Sequence, residues 1–279
     1  MGGDTLWFMM VPLTSPQNAH IKDVVKLNNR SFRDERRQTV VEGVREVGLV
    51  FQQGIVPIEA YVCPELVPAA ANPILAHLQQ LAQNRATRLF SLSPDLFAKI
   101  AYRENSGGLL LVVPFWQKPL EAITQPTLVV VLEGVEKPGN LGGVLRTADA
   151  AGVSAVLICG EGTDIYNPNA IRASLGAIFT VPVVAAATPT LISWLKQQGL
   201  VLVATTPSAT QLYTQVDLTG PVAIIMGREA DGLNGDWLAA ADQQVQIPMS
   251  GAVDSLNVSV ATALLLYEAV RQRGSHFGD

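Results

Sequence analysis

The run Leu128–Leu132, LVVVL, is apolar at every position and shows no in–out alternation. A strand of that kind has both faces against protein, as strands of parallel sheets do when helices cover each side. The segments around it supply the covers. A helix is predicted over Leu141–Ala151, followed by strand Ala155–Cys159. Strand Val181–Ala185, helix Pro189–Gln198 and strand Leu200–Thr205 come next. Strand Val222–Met226 and a helix or turn over Gly232–Ala240 continue the alternation. Strands alternating with helices imply an α/β fold built on an open, mostly parallel sheet.

The chain then runs through IPMSGAVDSLNVSVATALLLYEAVRQR, Ile247–Arg273. A strand end is expected over Val245–Met249, a loop through Gly251 and Asp254, and a long helix from Ser255. Val258, Ala261, Leu265 and Ala269 recur at helical spacing, with Leu264 and Tyr267 widening the apolar face. Asp254 or Ser255 can cap this helix, and Arg271 and Arg273 suit its C-terminal dipole. Ser255, Asn257 and Ser259 crowd the mouth of an otherwise apolar helix. They can cap it, and they can also hydrogen-bond a group beyond it.

The first part of the chain reads as a smaller α/β domain. Strands are expected over Thr39–Gly43, Ile58–Val62, Thr87–Phe90 and Gly108–Pro114, with helices over Val44–Gln53, Asn72–Gln83 and Pro94–Ile100. Pro114, Pro119 and Pro126 mark a linker. The boundaries are therefore 1–114, a linker 115–126, and 127–279.

Charge separates the two parts. The net charge is −5, which by itself disfavours a nucleic-acid partner. Residues 1–120, however, hold 12 Lys and Arg against 10 Asp and Glu, and residues 121–279 hold 7 against 14. His20–Arg37 concentrates Lys22, Lys26, Arg30, Arg33, Arg36 and Arg37 against three acids. Within it Ile21, Val24, Val25 and Leu27 form the apolar side of a helix. Such a segment is a solvated surface or a phosphate-contacting one, and the excess of cations favours the second. Hydrophobic residues make up 48% of the chain, and no apolar run is long enough to span a membrane. The N-terminus lacks a basic leader, so no secretory signal is expected. Cys63 and Cys159 stand in apolar surroundings and read as buried thiols of a reducing compartment, the cytoplasm by default. Three His and two Cys at no ligand spacing argue against a metal site.

Three stretches carry a family resemblance. Asn140–Gly152, NLGGVLRTADAAG, Met226–Leu233, MGREADGL, and the IPM-x-G-x-x-x-SLNVSVA run resemble, in that order, the three signatures of SpoU-type RNA 2′-O-ribose methyltransferases of the SPOUT superfamily. The basic loop, VVEG and helix near residue 40 resemble, more loosely, the RNA substrate-binding domain that many members carry. The resemblance implies a C-terminal trefoil knot, which general topology would make improbable. It also implies S-adenosylmethionine as cofactor, a homodimer formed through the C-terminal domain, and a ribosomal or transfer RNA substrate, with 23S ribosomal RNA favoured. Gly227, Ile247 and Leu256 carry over as cofactor contacts made largely by backbone, and Thr205, at a strand end, is added to them. Asn140, Arg146, Glu229, Ser255 and Asn257 carry over as the catalytic set.

A ribose 2′-hydroxyl is a poor nucleophile that must lose its proton as the new bond forms. The family proposal gives the activating role to the position of Arg146. A guanidinium is a poor base, so stabilisation of developing charge suits it better. Glu229 is read either as a direct catalytic part or as the anchor of Arg146 or of the Ser255–Asn257 loop. Arg172 either faces RNA or is a surface cation. Lys137 stands where the family often has an acid before Pro-x-Asn, which makes loop contacts to RNA less transferable. Cys159-Gly-Glu-Gly162 lacks the third glycine of a dinucleotide-binding loop. Base methylation on the same fold and a catalytically silent RNA-binding protein are the competing functions.

Overall fold

The computed structural model describes residues 10–102, 106–228 and 231–274. It divides into two compact units, one of 1–116 with 166–179 and one of 117–165 with 180–279.

The first unit holds β1 (Val11–Leu13), α1 (Ala19–Lys26), α2 (Arg30–Arg36), β2 (Gln38–Glu42), α3 (Val44–Gln52) and β3 (Glu59–Val62). α4 (Asn72–Gln83), β4 (Arg88–Leu92), α5 (Pro94–Phe97) and β5 (Leu109–Pro114) follow. Its sheet has the order β1-β4-β3-β5-β2, with β5 antiparallel to both of its neighbours. β1 was not expected. It joins as an edge strand parallel to β4, with Leu13 buried.

The basic segment forms two helices where one was foreseen. Asn18 caps α1 by accepting from the His20 amide at 2.9 Å, and Asn29 caps α2 by accepting from the Ser31 amide at 2.9 Å. Ile21, Val24 and Leu27 are buried as expected, but Val25 is 45% exposed. Arg33 corrects the reading of this segment as a row of phosphate contacts. It is 1% exposed and donates to the Leu27 carbonyl at 2.7 Å, satisfying the end of α1 from inside. Lys22, Lys26, Arg30, Arg36 and Arg37 remain exposed.

Tyr166–Phe179, which includes α7 (Pro168–Ala173) and most of the short α8 (Ala177–Thr180), belongs to this unit. Thr39 Oγ1 donates to the Tyr166 carbonyl at 2.6 Å, and the Tyr166 and Phe115 rings stack 3.6 Å apart. Arg172 lies in this contact, buried over the Tyr102 ring and 3.9 Å from Glu42. It is neither a surface cation nor open to RNA. Burial of a charge demands a paired carboxylate and a polarisable face, and Arg172 has both.

The second unit contains β6 (Leu128–Glu133), α6 (Pro138–Ala150), β7 (Ala155–Cys159), β8 (Val183–Ala185), α9 (Thr188–Gln197) and β9 (Val201–Thr205). β10 (Gln211–Leu212), β11 (Val222–Met226), α10 (Gly235–Ala240), β12 (Gln243–Gln246) and α11 (Val258–Gln272) complete it. All seven strands run parallel in the order β10-β12-β9-β11-β6-β7-β8. Both faces of the central strands β6 and β11 are covered, and every residue of each is buried. β10 was not foreseen. It is two residues long and pairs at the sheet edge with β12.

From β6 the chain winds outward through β7 and β8, whereas from β11 it continues through α10 to β12 on the other side. The order therefore reverses between β6 and β11. In open α/β sheets ligands bind beyond the carboxyl ends of the strands at such a point.

Three expectations at the C-terminal end need correction. β12 lies earlier than predicted, at Gln243–Gln246, so Ile247–Met249 is loop. α11 begins at Val258 and not at Ser255, and its cap is Asn257, whose Oδ1 accepts from the Ser259 amide at 3.0 Å. Val258, Ala261, Leu265 and Ala269 are buried, but Leu264 and Tyr267 are 36% and 43% exposed. At 100° per residue these two lie roughly half a turn from the buried face. With Val260, 48% exposed, they form a separate stripe at i, i+4 and i+7.

Candidate active site

Parallel pairing sets three strand ends side by side. Val245 of β12 is in register with Thr205 of β9, and Ala204 is in register with Ile225 of β11. The loops leaving these strands enclose a cavity of about 660 Å³. Thr205, Gly227, Ile247 and Leu256 all line it, and so does Ser255.

Gly227 is held in a tight return. The Arg228 amide donates to the Gly232 carbonyl at 3.0 Å, and the Gly232 amide donates back to Arg228 at 3.1 Å. A Cβ on Gly227 would lie 2.5 Å from the Gly232 carbonyl oxygen and 2.5 Å from the Leu233 nitrogen. The motif alone assigns this glycine to close approach of a ligand. The structure adds that the loop's own backbone already occupies the space. Behind the loop, buried Glu133 accepts from the Asn234 amide at 2.9 Å and from Asn234 Nδ2 at 2.6 Å. Asn234 in turn caps α10 through the Trp237 amide at 3.1 Å. Glu133 was not singled out beforehand. Its only mark in the sequence was a carboxylate closing an otherwise apolar strand.

A smaller recess of about 180 Å³ adjoins the cavity, and Arg228, Asp231 and Val258 line both. It lies at the reversal of strand order, because its other walls follow β6, from Gly134 to Lys137, and reach Asn140 on α6. Asn140 sits in the first turn of α6 and does not cap it. Its Oδ1 accepts from Asn257 Nδ2 at 2.9 Å, joining the first signature to the third. α6 and α11 can approach this closely because Gly143 faces Ser259; a Cβ there would lie 3.1 Å from the Ser259 Cβ. Asn257 Oδ1 also accepts from Ser259 Oγ at 2.6 Å, which fixes the orientation of its amide.

The predicted catalytic set is thus divided. Asn140 and Asn257 meet directly, and Ser255 is exposed at the cavity rim, 3.5 Å from Asp254. Arg146 is exposed on α6 and lines neither space. It is six residues from Asn140, about 9 Å along the axis and on a different face. Glu229 lies outside the described residues. Arg228 and Asp231 border both spaces, and their place inside the second signature alone assigns them no role.

The cavity suits an adenosyl group with a zwitterionic tail. Leu238, Met249, Leu256 and Val258 line it with apolar surface, and Asp231 and Asp254 bring negative charge to its wall. The Thr205 hydroxyl is buried and has no hydrogen-bond partner among the described residues, so a donor or acceptor is wanted there. Neither cysteine borders the site. Both are buried, and burial together with Glu65 pushes the Cys63 thiol up to about 11. Among the described residues no group of three or more His, Cys, Asp or Glu is placed to hold a metal.

The sequence profile of the SpoU rRNA Methylase family matches residues 127–267, half of the chain. The chain belongs to this family. An MRM3-like substrate binding domain matches residues 18–111. Among solved structures, an RNA 2′-O ribose methyltransferase is 42% identical with a TM-score of 0.78, covering 95% of this chain and 100% of its own. An AdoMet-bound rRNA methyltransferase from Sinorhizobium meliloti is 29% identical with a TM-score of 0.85, covering 94% and 98%. A 23S rRNA (guanosine-2′-O-)-methyltransferase of Pseudomonas putida is 44% identical over 63% of this chain and 69% of its own length. Membership in the SpoU family gives the three signatures one purpose, and the two adjoining spaces are where they converge.

Proposed function

We propose that this SpoU protein methylates a ribose 2′-oxygen of 23S ribosomal RNA, with S-adenosylmethionine as donor. The observation that carries this reading is the convergence of Thr205, Gly227, Ile247 and Leu256 on one cavity. Beside that cavity Asn140 of the first signature binds Asn257 of the third. The names of the relatives support the choice of RNA. When bound, the cofactor supplies an electrophilic methyl group. The chain's residues would hold it by backbone at Gly227, Ile247 and Leu256, with the Thr205 hydroxyl satisfied by a polar group of the ligand. Asn140 and Asn257 would orient the acceptor. Arg146, which lines neither space within this chain, would stabilise the charge that grows on the acceptor oxygen from outside the recess once RNA is bound. Incubation with S-adenosylmethionine and 23S rRNA, then nuclease digestion and mass spectrometry, tests the reading. A methyl group on a base, or no RNA product at all, would overturn it.

Residues 1–114 are assigned to substrate RNA and 127–279 to chemistry, with the linker between them. Five exposed cations from Lys22 to Arg37 supply the positive field. Replacing Arg30, Arg36 and Arg37 by Gln should weaken RNA binding and flatten the slope of log affinity against log salt by about 0.7–0.9 for each phosphate no longer neutralised. Arg33 is left out because it is buried. An unchanged slope would make the segment a solvated surface only.

The active form in this reading is a homodimer. The exposed Val260, Leu264 and Tyr267 stripe on α11 supports it, because the helix's other apolar face is already committed to its own core. Leu264→Glu with Tyr267→Glu should give a monomer by light scattering at micromolar concentration. A wild-type protein that is itself monomeric there would refute the assignment. A trefoil knot at the C-terminal end and a cytoplasmic setting complete the reading. No helix among the described residues is long and apolar enough to cross a membrane.

A further inference from the structure

We propose that Arg228 binds the phosphodiester on the 3′ side of the acceptor ribose; this inference rests on the ribose-methylation reading above. Arg228 borders both the cavity and the smaller recess, and its direction separates the two. Its side chain lies across Gly134: a Cβ there would fall 2.8 Å from Arg228 Cγ and 3.0 Å from Cδ, and it would strike Nε. Gly134 lines the smaller recess and not the cavity. The guanidinium is therefore rooted on the side that holds Asn140. Its backbone is held by the two hydrogen bonds to Gly232, which anchors the root of the side chain.

The recess holds Arg228 and Lys137 against Asp231 and Glu136, so the placement of Arg228, and not net charge, marks this side for an anion. Asp254 lines only the cavity, where a sulfonium and an ammonium would sit, and Asp231 borders both spaces. The smaller recess has Lys137 as a second cation. Of its two carboxylates, Asp231 is shared with the cavity, and Glu136 lies against Gly162, its carboxyl 3.3 Å from where a Cβ would stand. In RNA the carbon bearing the 2′-hydroxyl is bonded to the one bearing the 3′-phosphate. A ribose beside Asn140 must therefore carry a phosphodiester within a few ångströms. A guanidinium offers that group two parallel N–H donors.

Arg228→Gln tests the assignment, since it removes the charge and keeps methylenes to lie on Gly134. With a 23S rRNA transcript, KM should rise roughly tenfold or more, while kcat at saturating RNA stays near wild type. The salt slope of RNA binding should fall by about 0.7–0.9, with S-adenosylhomocysteine affinity by calorimetry and the thermal midpoint held. Arg228→Lys should restore the slope. Loss of S-adenosylhomocysteine affinity with an unchanged RNA slope would overturn the proposal and give Arg228 to the cofactor's carboxylate. No change in either would overturn it too and make Arg228 a packing residue. If the wild-type protein made no 2′-O-methyl product, the functional reading would fall, and the slope comparison would still decide the phosphate contact.

Discussion

Arg146→Ala lowers single-turnover methylation of 23S rRNA by about a hundredfold or more, with cofactor affinity and thermal midpoint nearly unchanged. Arg146 is exposed on α6 and has no part in the cavity expected to hold the cofactor, so its loss has no route to cofactor affinity. Nor does its side chain make an ion pair or hydrogen bond among the described residues, so truncation leaves no orphaned partner to destabilise the fold. A fixed positive charge beside an oxygen that is losing its proton is worth ~3–4 kcal/mol when the donor is preorganised. Each ~1.4 kcal/mol is tenfold in rate, which sets the hundredfold scale. Arg146→Lys recovers part of the loss, because an ammonium keeps the charge and loses the planar fork. A near-normal single-turnover rate for the alanine variant, or a defect confined to cofactor binding, would remove Arg146 from the chemistry.

Gly227→Val abolishes measurable S-adenosylhomocysteine binding by calorimetry. The first added carbon would stand 2.5 Å from the Gly232 carbonyl oxygen, so the Arg228–Gly232 return cannot close around it. That return positions Gly227, Asp231 and Leu233 on the cavity wall. Even Gly227→Ala should therefore lose most of the affinity, and so much loss from a single methyl distinguishes a backbone clash from the filling of ligand space. Secondary structure by circular dichroism should hold, since β11 ends before the loop. Unchanged affinity in either variant would show that the cofactor does not use this loop.

Residue order alone determined a good deal of this molecule. Continuous apolar runs such as Leu128–Leu132 require two covered faces, and that condition by itself selects a parallel sheet under helices. Asn72–Gln83, Ala155–Cys159 and Val222–Met226 have the bounds expected of them, because Pro, Gly and polar residues punctuate them sharply. The signatures were legible as motifs, and so the residues around the cavity could be named before any geometry was known.

What remained hidden depends on contacts distant in sequence. The periodicity of Val258–Ala269 shows an apolar helix, but only packing decides which face meets its own core and which, with Leu264 and Tyr267, stays outside. A run of cations cannot reveal that Arg33 turns inward to serve the Leu27 carbonyl while its neighbours face water. Arg172 likewise reads as a surface charge until Glu42 and Tyr102, far off in the chain, are found around it. The pairing of Asn140 with Asn257 spans 117 residues and requires two helices to close over Gly143. Local propensity and spacing act over a few residues and are written in the sequence. The environment of a side chain is set by whichever strands the sheet brings together, and at the reversal between β6 and β11 only the tertiary structure decides it.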